Sequence, residues 1–373
     1  MRTVRRLLYR TIASSVLFVA LAFLSLFYFI DFVDEIDRMS RAGAGVAQAA
    51  LLALMELPGH FYELFPIAVL IGSIYSLAQM AQSSEFTILR TGGLGPQRAL
   101  GLLAVLALGF AVLTFVIGDF VGPYFERQTE VMRAHFVGNQ SQGRSGAWLK
   151  DKQLIDGQER TFSVNVGLAN ASGQMQDVRI FEFDPHGGLI ARIAAKTATV
   201  DKAGTWQLSD VLRTEWLAPD ATALVSAPVV RETKLPGLAW QSGLHAGVIA
   251  AAVLPAQSMS TLELYRYTEH LSAQEQSAQA HNIQFWRKAF YPFACFVMVA
   301  LALPFAYLHG RAGGISLKVF GGIMLGISFV LLNNVAAHLG LLKGWTPWVV
   351  AATPSLAYLA LSLAAFGWLV RYR

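Results

Sequence analysis

Six uncharged runs organise the chain: residues 11–30, 64–84, 99–118, 289–308, 319–342 and 344–370, of 20, 21, 20, 20, 24 and 27 residues. A helix rises about 1.5 Å per residue, so about 20 residues cross a hydrocarbon core about 30 Å thick. Backbone groups in lipid must bond within their own segment, and these runs are too long and continuous for barrel strands. The pattern therefore predicts six transmembrane helices. Between the third and fourth runs the period changes. Residues 162–166, 178–183 and 206–212 alternate, or carry β-branched and aromatic side chains. Turn-forming stretches at 170–173, 184–188, 201–204 and 218–220 separate them. An all-β domain is expected here: a sandwich, a jelly roll or an open barrel. Residues 261–288 then place Leu262, Leu264, Tyr265 and Leu271 at roughly helical spacing with no Gly or Pro, which predicts a helix leading into the fourth span.

Composition narrows the class. Hydrophobic residues make up 54% of the 373 and charged residues only 14%, against about 25% in soluble domains. Mean hydropathy is +0.46. A disordered chain, a fibrous chain and an ordinary cytosolic enzyme are excluded. The first run follows Arg2, Arg5, Arg6 and Arg10, as in a secretory signal. It is longer than a signal core, however, and acidic residues follow it in place of a small-x-small cleavage site, so we expect it to be retained as a span. The single cysteine, Cys295, allows no intrachain disulfide and no thiolate zinc site. The eight histidines show no HExxH and no paired spacing, so no metal site is expected.

Charge sets the expected orientation. Residues 123–260 hold 13 basic and 13 acidic residues, leaving the excess in the membrane part, 16 basic against 11 acidic. Segments 1–10, 81–98, 309–318 and 371–373 together carry ten basic residues and one acid, Glu85. Short basic loops stay in the cytoplasm. Both termini are therefore expected inside and the β domain outside. The pI near 9.3 reads as a topology signal, with no nucleic acid implied. The expected organisation is transmembrane helices one to three in 1–122, the β domain in 123–260, and a connecting helix with helices four to six in 261–373.

No catalytic constellation emerges. The nearest glycine cluster, Gly92-Gly93-Leu94-Gly95-Pro96, lacks the Lys-Ser/Thr ending of a phosphate-binding loop, and no GxSxG occurs. The interval 31–63 holds Arg38 and Arg41 against Asp31, Asp34, Glu35, Asp37, Glu56 and Glu63; Asp31, Asp34, Glu35 and Asp37 could suggest metal or acid–base work, but a solvated loop at a membrane surface is the favoured reading. A short helix is expected over 84–91. Serine caps it, Glu85 suits its first turn, Arg90 its last, and Gly92 can take the left-handed cap. Its apolar Phe86, Ile88 and Leu89 need a partner. A helix resting on lipid headgroups and a coupling helix docking into a cytoplasmic motor both fit.

Arg127 and Arg133 follow the third span; Arg287 and Lys288 precede the fourth. Each singly reads as a snorkelling anchor, while four around one soluble domain point to a phosphate-bearing ligand. Within the fifth span, Gly322 and Gly326 with Asn333, Asn334 and His338 are accounted for by helix packing.

The ordered set of motifs resembles one family. Phe65-Pro66 opens the second span, followed by Leu77-Ala78-Gln79-Met80-Ala81-Gln82-Ser83-Ser84-Glu85 and Gly92-Gly93. Then come Ile117-Gly118-Asp119-Phe120-Val121-Gly122-Pro123, Gly146-Ala147-Trp148-Leu149-Lys150-Asp151, and Trp286-Arg287-Lys288 with Pro292. This layout resembles the LptF/LptG family of lipopolysaccharide export permeases, its LptG branch most closely. No single motif is diagnostic; their order along nearly the whole chain is.

The resemblance implies an α-helical membrane protein with six transmembrane helices and an inserted periplasmic all-β, jelly-roll-like domain. It implies a non-enzymatic permease subunit in the inner membrane of a Gram-negative bacterium. An LptF permease, an LptB ATPase dimer and the single-span LptC would be its partners. Lipopolysaccharide would be its substrate, taken from the outer leaflet and passed to a periplasmic β bridge. No cofactor would be bound by this chain, with ATP and Mg on the partner ATPase. The coupling residues would be Glu85, Phe86, Leu89, Arg90 and Gly92; the lipopolysaccharide contacts Arg38, Arg133, Lys288, Arg127 and Phe65. One departure stands out: the family often places lysines at the outer end of the first span, where this chain reads Asp31-Phe32-Val33-Asp34-Glu35-Ile36-Asp37-Arg38. Phosphate capture there would need compensation from the other permease or a divalent cation. Two alternatives remain at this level, the paralogous LptF-type subunit and a membrane-anchored periplasmic sensor or scaffold.

Overall fold

A computed structural model describes residues 2–92, 95–137, 147–155, 158–169, 174–201, 204–217, 229–244, 249, 259–273, 278–307 and 314–371. The chain divides into two compact units, Met1–Phe136 with Asn282–Arg373, and Val137–His281.

The first unit is helical. Its elements are α1 (Arg2–Arg41), α2 (Val46–Gln82), α3 (Glu85–Thr91) and α4 (Pro96–Val116), which continues through a π turn (Ile117–Val121) into α5 (Gly122–Val137). After the β unit, which also contains α6 (Thr261–Ala273), come α7 (Gln279–Phe290), α8 (Phe293–Tyr307), α9 (Ile315–Lys343) and α10 (Pro347–Arg371). Among the described residues five helices are long and apolar enough to cross a membrane, or six if the pair α7 and α8, bent by 52°, is one span. The break falls at Tyr291-Pro292, where proline removes a backbone donor.

Helix α2 is apolar around its circumference, and such a helix belongs inside a bundle. Its most apolar window is 78% buried, with α1, α8 and α9 packed around it. Small residues permit the close approaches. A Cβ on Gly72 would stand 2.6 Å from the Val16 backbone, and one on Gly322 would stand 2.5 Å from Ile74. Dispersion contacts between closely packed helices take over where lipid supplies no hydrophobic drive.

The interval 31–63 is a correction to the sequence reading. It is a helical hairpin rather than a solvated loop: α1 runs on to Arg41, α2 starts at Val46, and only four residues connect them. Gly43, at φ +75°, supplies the left-handed turn residue. Nothing between 31 and 41 breaks a helix, and the acids that suggested solvent include Glu35, which is 3% exposed.

The second unit carries the all-β insert. Six strands, β1 (Ala147–Ile155), β2 (Gln158–Ala169), β3 (Gln174–Phe183), β4 (Leu189–Val200), β5 (Thr205–Leu217) and β6 (Val229–Gln241), form one antiparallel sheet in the order β1-β2-β3-β4-β5-β6. One face is buried through Phe162, Val164, Val178, Ile180, Ile193, Trp206 and Leu208. The edge strands meet at one end. Ser242 Oγ donates to Asp151 Oδ2 at 2.7 Å, and Gln153 Nε2 donates to the Gln241 carbonyl at 2.9 Å. The Trp240 ring packs on Phe162 and Trp206, with centroids 5.6 and 5.5 Å away. The sheet therefore curls, with its two edges clasped.

A seam crosses this sheet. Gly167, Asp177, Lys196, Asp210 and Pro236 fall in one cross-strand row, between the regular pairs on either side. Asp177 and Asp210 have φ of 52° and 58°. Buried positions step by three at the row instead of two: Met175 then Val178, Ala195 then Ala198, Leu208 then Val211. In β3 and β5 the left-handed residue resets the alternation, so one face stays buried along the whole strand, and Lys196 of β4 steps with them. Pro236 lies on the edge strand β6, where a missing backbone donor costs no interior pair. Helix α6 opens with a capping box: Ser260 N donates to Glu263 Oε2 at 2.9 Å and Glu263 N to Ser260 Oγ at 3.3 Å.

The boundaries expected at 122/123 and 260/261 fall elsewhere in the structure. The helix of the third apolar run continues to Val137 before the first strand, and α6 belongs to the β unit's part of the chain. Pro123 sits in the first turn of α5, where a missing N–H is tolerated and the helix carries on.

Candidate functional site

Just beyond the apolar runs, α1, α2 and α5 converge on a set of charged side chains. Glu35 on α1 is buried between two arginines: Arg38 Nη1 donates to Glu35 Oε2 at 3.2 Å, and Arg133 Nε donates to Glu35 Oε1 at 3.2 Å. Arg133 Nη2 also donates to Glu56 Oε1 on α2 at 2.5 Å. One guanidinium thus ties α5 to both arms of the helical hairpin. Burial works against its charge, but the hydrogen bonds and charges of Glu35 and Glu56 prevail and hold the Arg133 pKa above the usual arginine value. Beside it, His60 Nε2 lies 2.7 Å from Asp31 Oδ2, and the Phe27 ring packs on the imidazole with centroids 4.8 Å apart.

A second basic group sits on α7. Lys288 is 8% exposed, and its Nζ lies 5.8 Å from the Tyr62 ring centroid. Tyr62 packs on Tyr291, whose hydroxyl donates to the Glu63 carbonyl at 2.6 Å. Arg287 Nη2 donates to Asn334 Oδ1 of α9 at 3.1 Å. The Tyr62 ring occupies the space beside Gly118 in the π turn, where a Cβ would stand 2.1 Å from Tyr62 Cε2.

The sequence-expected contacts therefore separate. Arg38 and Arg133 come together through Glu35. Arg38, with a side chain 53% exposed, is the more open of the two. Arg127 is half-buried on α5. Lys288 stands in the aromatic group just described. Phe65 is buried in the helical core against Phe61 and Phe110, with ring centroids 4.6 and 5.7 Å away. Sequence reasoning weighed Glu35 for metal or acid–base work but favoured a solvated loop, counted Glu56 among its acids, and missed His60. The i,i+4 spacing of Glu56 and His60 was a visible signal for one helix face, but only a hairpin could bring Asp31 and Glu35 against them.

At the other end of α2, Glu85–Thr91 forms the short helix expected over 84–91. Glu85 is exposed in its first turn. Ile88 is 66% exposed, while Leu89 packs partly against the helical core. The outward apolar residue among those described is thus Ile88 rather than Leu89. The side chains of Phe86 and Arg90 lie outside the described residues. Gly92 follows the helix, its N–H donating to the Ile88 carbonyl at 2.9 Å. It does not take the left-handed cap expected of it; the left-handed residue is Ser84, at φ +63° on the entry side. Among the described residues these groups offer charge and shape.

The family model described as the lipopolysaccharide export system permease LptF/LptG matches residues 6–369. Lipopolysaccharide export system permease protein LptG of Escherichia coli is 24% identical over 319 residues, covering 83% of this chain and 82% of that protein. LptG of Haemophilus influenzae is 24% identical over 310 residues, with 82% of each chain covered.

Proposed function

The chain belongs to the LptF/LptG family of lipopolysaccharide export system permeases, and from that premise we propose that it is the LptG-type subunit of an ATP-driven transporter. The observation carrying this reading is the family match, which runs through both the helical unit and the β insert.

In this reading the chain extracts lipopolysaccharide from the outer leaflet of the inner membrane and passes it to a periplasmic β bridge. Both termini are cytoplasmic and the β unit is periplasmic, following the basic residues of the short loops. The chain does no covalent chemistry and binds no nucleotide. An LptB-type ATPase dimer holds ATP and Mg, an LptF-type permease completes the pair, and LptC joins them. Each CH₂ moved from lipid toward water costs about 0.8 kcal/mol, so a lipid with several acyl chains needs an external drive. Helix α3 receives that drive, with Glu85 and Ile88 presented to the ATPase.

Arg38 and Arg133 meet the acidic groups of the lipid, with Arg127 on the same helix as Arg133 and Lys288 on α7 as further basic contacts. Arg133 is already compensated by two carboxylates, so Arg38 makes the first contact. Photo-crosslinkers placed at Arg38 and Arg133 are expected to capture lipopolysaccharide, and one at Leu361, exposed on α10, is not. Equal capture at all three positions would overturn this placement of the substrate.

A further inference from the structure

Three side chains of metal-binding type converge where the helical hairpin leaves the apolar runs. Asp31 of α1 and Glu56 and His60 of α2 each offer a ligand atom, and these atoms all lie within 4.8 Å of one another. Among the described residues no other group of three or more His, Cys, Asp or Glu comes so close. Glu56 and His60 are one helical turn apart and share a face. The Asp31 carboxylate already meets the imidazole at 2.7 Å. The Phe27 ring holds the imidazole plane in place. Glu56 is bonded to Arg133 through Oε1, but a carboxylate has about four lone-pair sites and can serve a guanidinium and a cation together.

Charge gives the group a purpose. Glu35 and Glu56 pair with Arg38 and Arg133, and Asp31 adds a third carboxylate against His60. The two arginines are taken up by these carboxylates, so Arg38 can touch a phosphate but the group as a whole does not neutralise one. A divalent cation reverses the balance.

We propose that Asp31, Glu56 and His60 form a divalent-cation site of the zinc class, and that the open coordination position of the cation takes a phosphate oxygen of the exported lipid. One imidazole nitrogen with two carboxylate oxygens is a borderline donor set that suits zinc better than magnesium or calcium. Bonds of about 2.1 Å put tetrahedral ligand atoms about 3.4 Å apart, so the Asp31–His60 pair opens from 2.7 Å while Glu56 closes from within 4.8 Å, both by side-chain rotation. Three protein ligands leave one position for an oxyanion. The identity of the phosphate donor rests on the lipopolysaccharide reading above; the cation site does not.

The test uses the full-length chain in detergent micelles, stripped with a chelator and titrated with zinc by calorimetry. The expected result is one zinc per chain, at least tenfold weaker in His60→Gln and in Asp31→Asn, and changed less than threefold in Asp34→Asn. Elution volume and helical circular dichroism establish that each variant is folded. Absence of saturable zinc binding overturns the site, as does unchanged affinity in both ligand variants. A second arm measures retention of bisphosphorylated lipid A and of its dephosphorylated form, with inorganic phosphate as competitor. Zinc is expected to raise retention of the phosphorylated lipid at least tenfold, to leave the other unchanged, and to lose this effect in His60→Gln. Equal retention with and without zinc overturns the role in phosphate capture. Zinc-dependent binding of inorganic phosphate without retention of either lipid supports the cation site and overturns the lipopolysaccharide reading instead.

Discussion

Glu35 shows how a single residue changes the meaning of its neighbours. Four acids in seven residues look like a wetted surface, yet this carboxylate is buried and bonded to Arg38 and Arg133. Burying an ion costs several kcal/mol unless partners compensate it, so the three groups stand or fall together. Arg133→Met is expected to leave Glu35 with one exposed partner and to destabilise the chain by about 3 kcal/mol, the lower range for breaking a buried pair. A thermal melt in detergent reads this directly, and an unchanged midpoint would mean that Glu35 finds other compensation. The basic residues were legible as candidates because cations near a membrane face are few. Their partners were not legible, since the contacts of Arg133 lie 98 and 77 residues away along the chain. Phe65, singled out by motif, turned out to be core, because a motif fixes a position in sequence and not the direction of a side chain.

At the scale of elements, the apolar runs located the spans well but said little about where the helices end. A run stops at the first charge, whereas a helix stops where its backbone does, and α1 extends eleven residues past Ile30. Three strands, β2, β3 and β5, were legible from alternation. β4 was hidden by the seam, because its buried positions step from Ala195 to Ala198 and break the period of two. β6 was hidden by Pro236 and Gly237, which are tolerable on an edge. The seam carries its own test. A left-handed conformation costs an L-residue about 1–2 kcal/mol, most for a β-branched one. Asp177→Val is therefore expected to lower the melting temperature of the protein, while Asp177→Gly leaves it unchanged or raises it; the opposite order would remove the seam from the account.

Helix α3 is the element through which an outside motor would act. Ile88→Asp is expected to abolish co-purification with the ATPase by placing a charge in an apolar pocket. Glu85→Lys is expected to weaken it by about 1 kcal/mol if its partner lies at an exposed rim, and by more if the pair is buried. Pull-down yield separates the two variants. Full yield for both would assign the motor contact to another segment. Gly92 was misplaced at this level because glycine after a helix usually marks its exit, whereas the strained residue here is Ser84 at the entry.

As a whole molecule, the chain joins a membrane bundle to a curled sheet, and the family match spans both. The general class was legible from hydropathy alone, since six long apolar runs admit few alternatives. The transported lipid was not legible from composition; it entered through ordered motifs. In our reading, the helical unit supplies a path for the acyl chains, the charged group at the end of the hairpin meets phosphates, and the sheet accepts what is released. The central claim is that this chain exports lipopolysaccharide under the drive of a separate ATPase. Its most direct measurement is lipopolysaccharide release from proteoliposomes that hold this chain, its partner permease and the ATPase, into a soluble periplasmic acceptor. Release is expected to require ATP and to fall to background when Ile88→Asp replaces the native chain. Release that continues without ATP, or with this chain left out, would contradict the account.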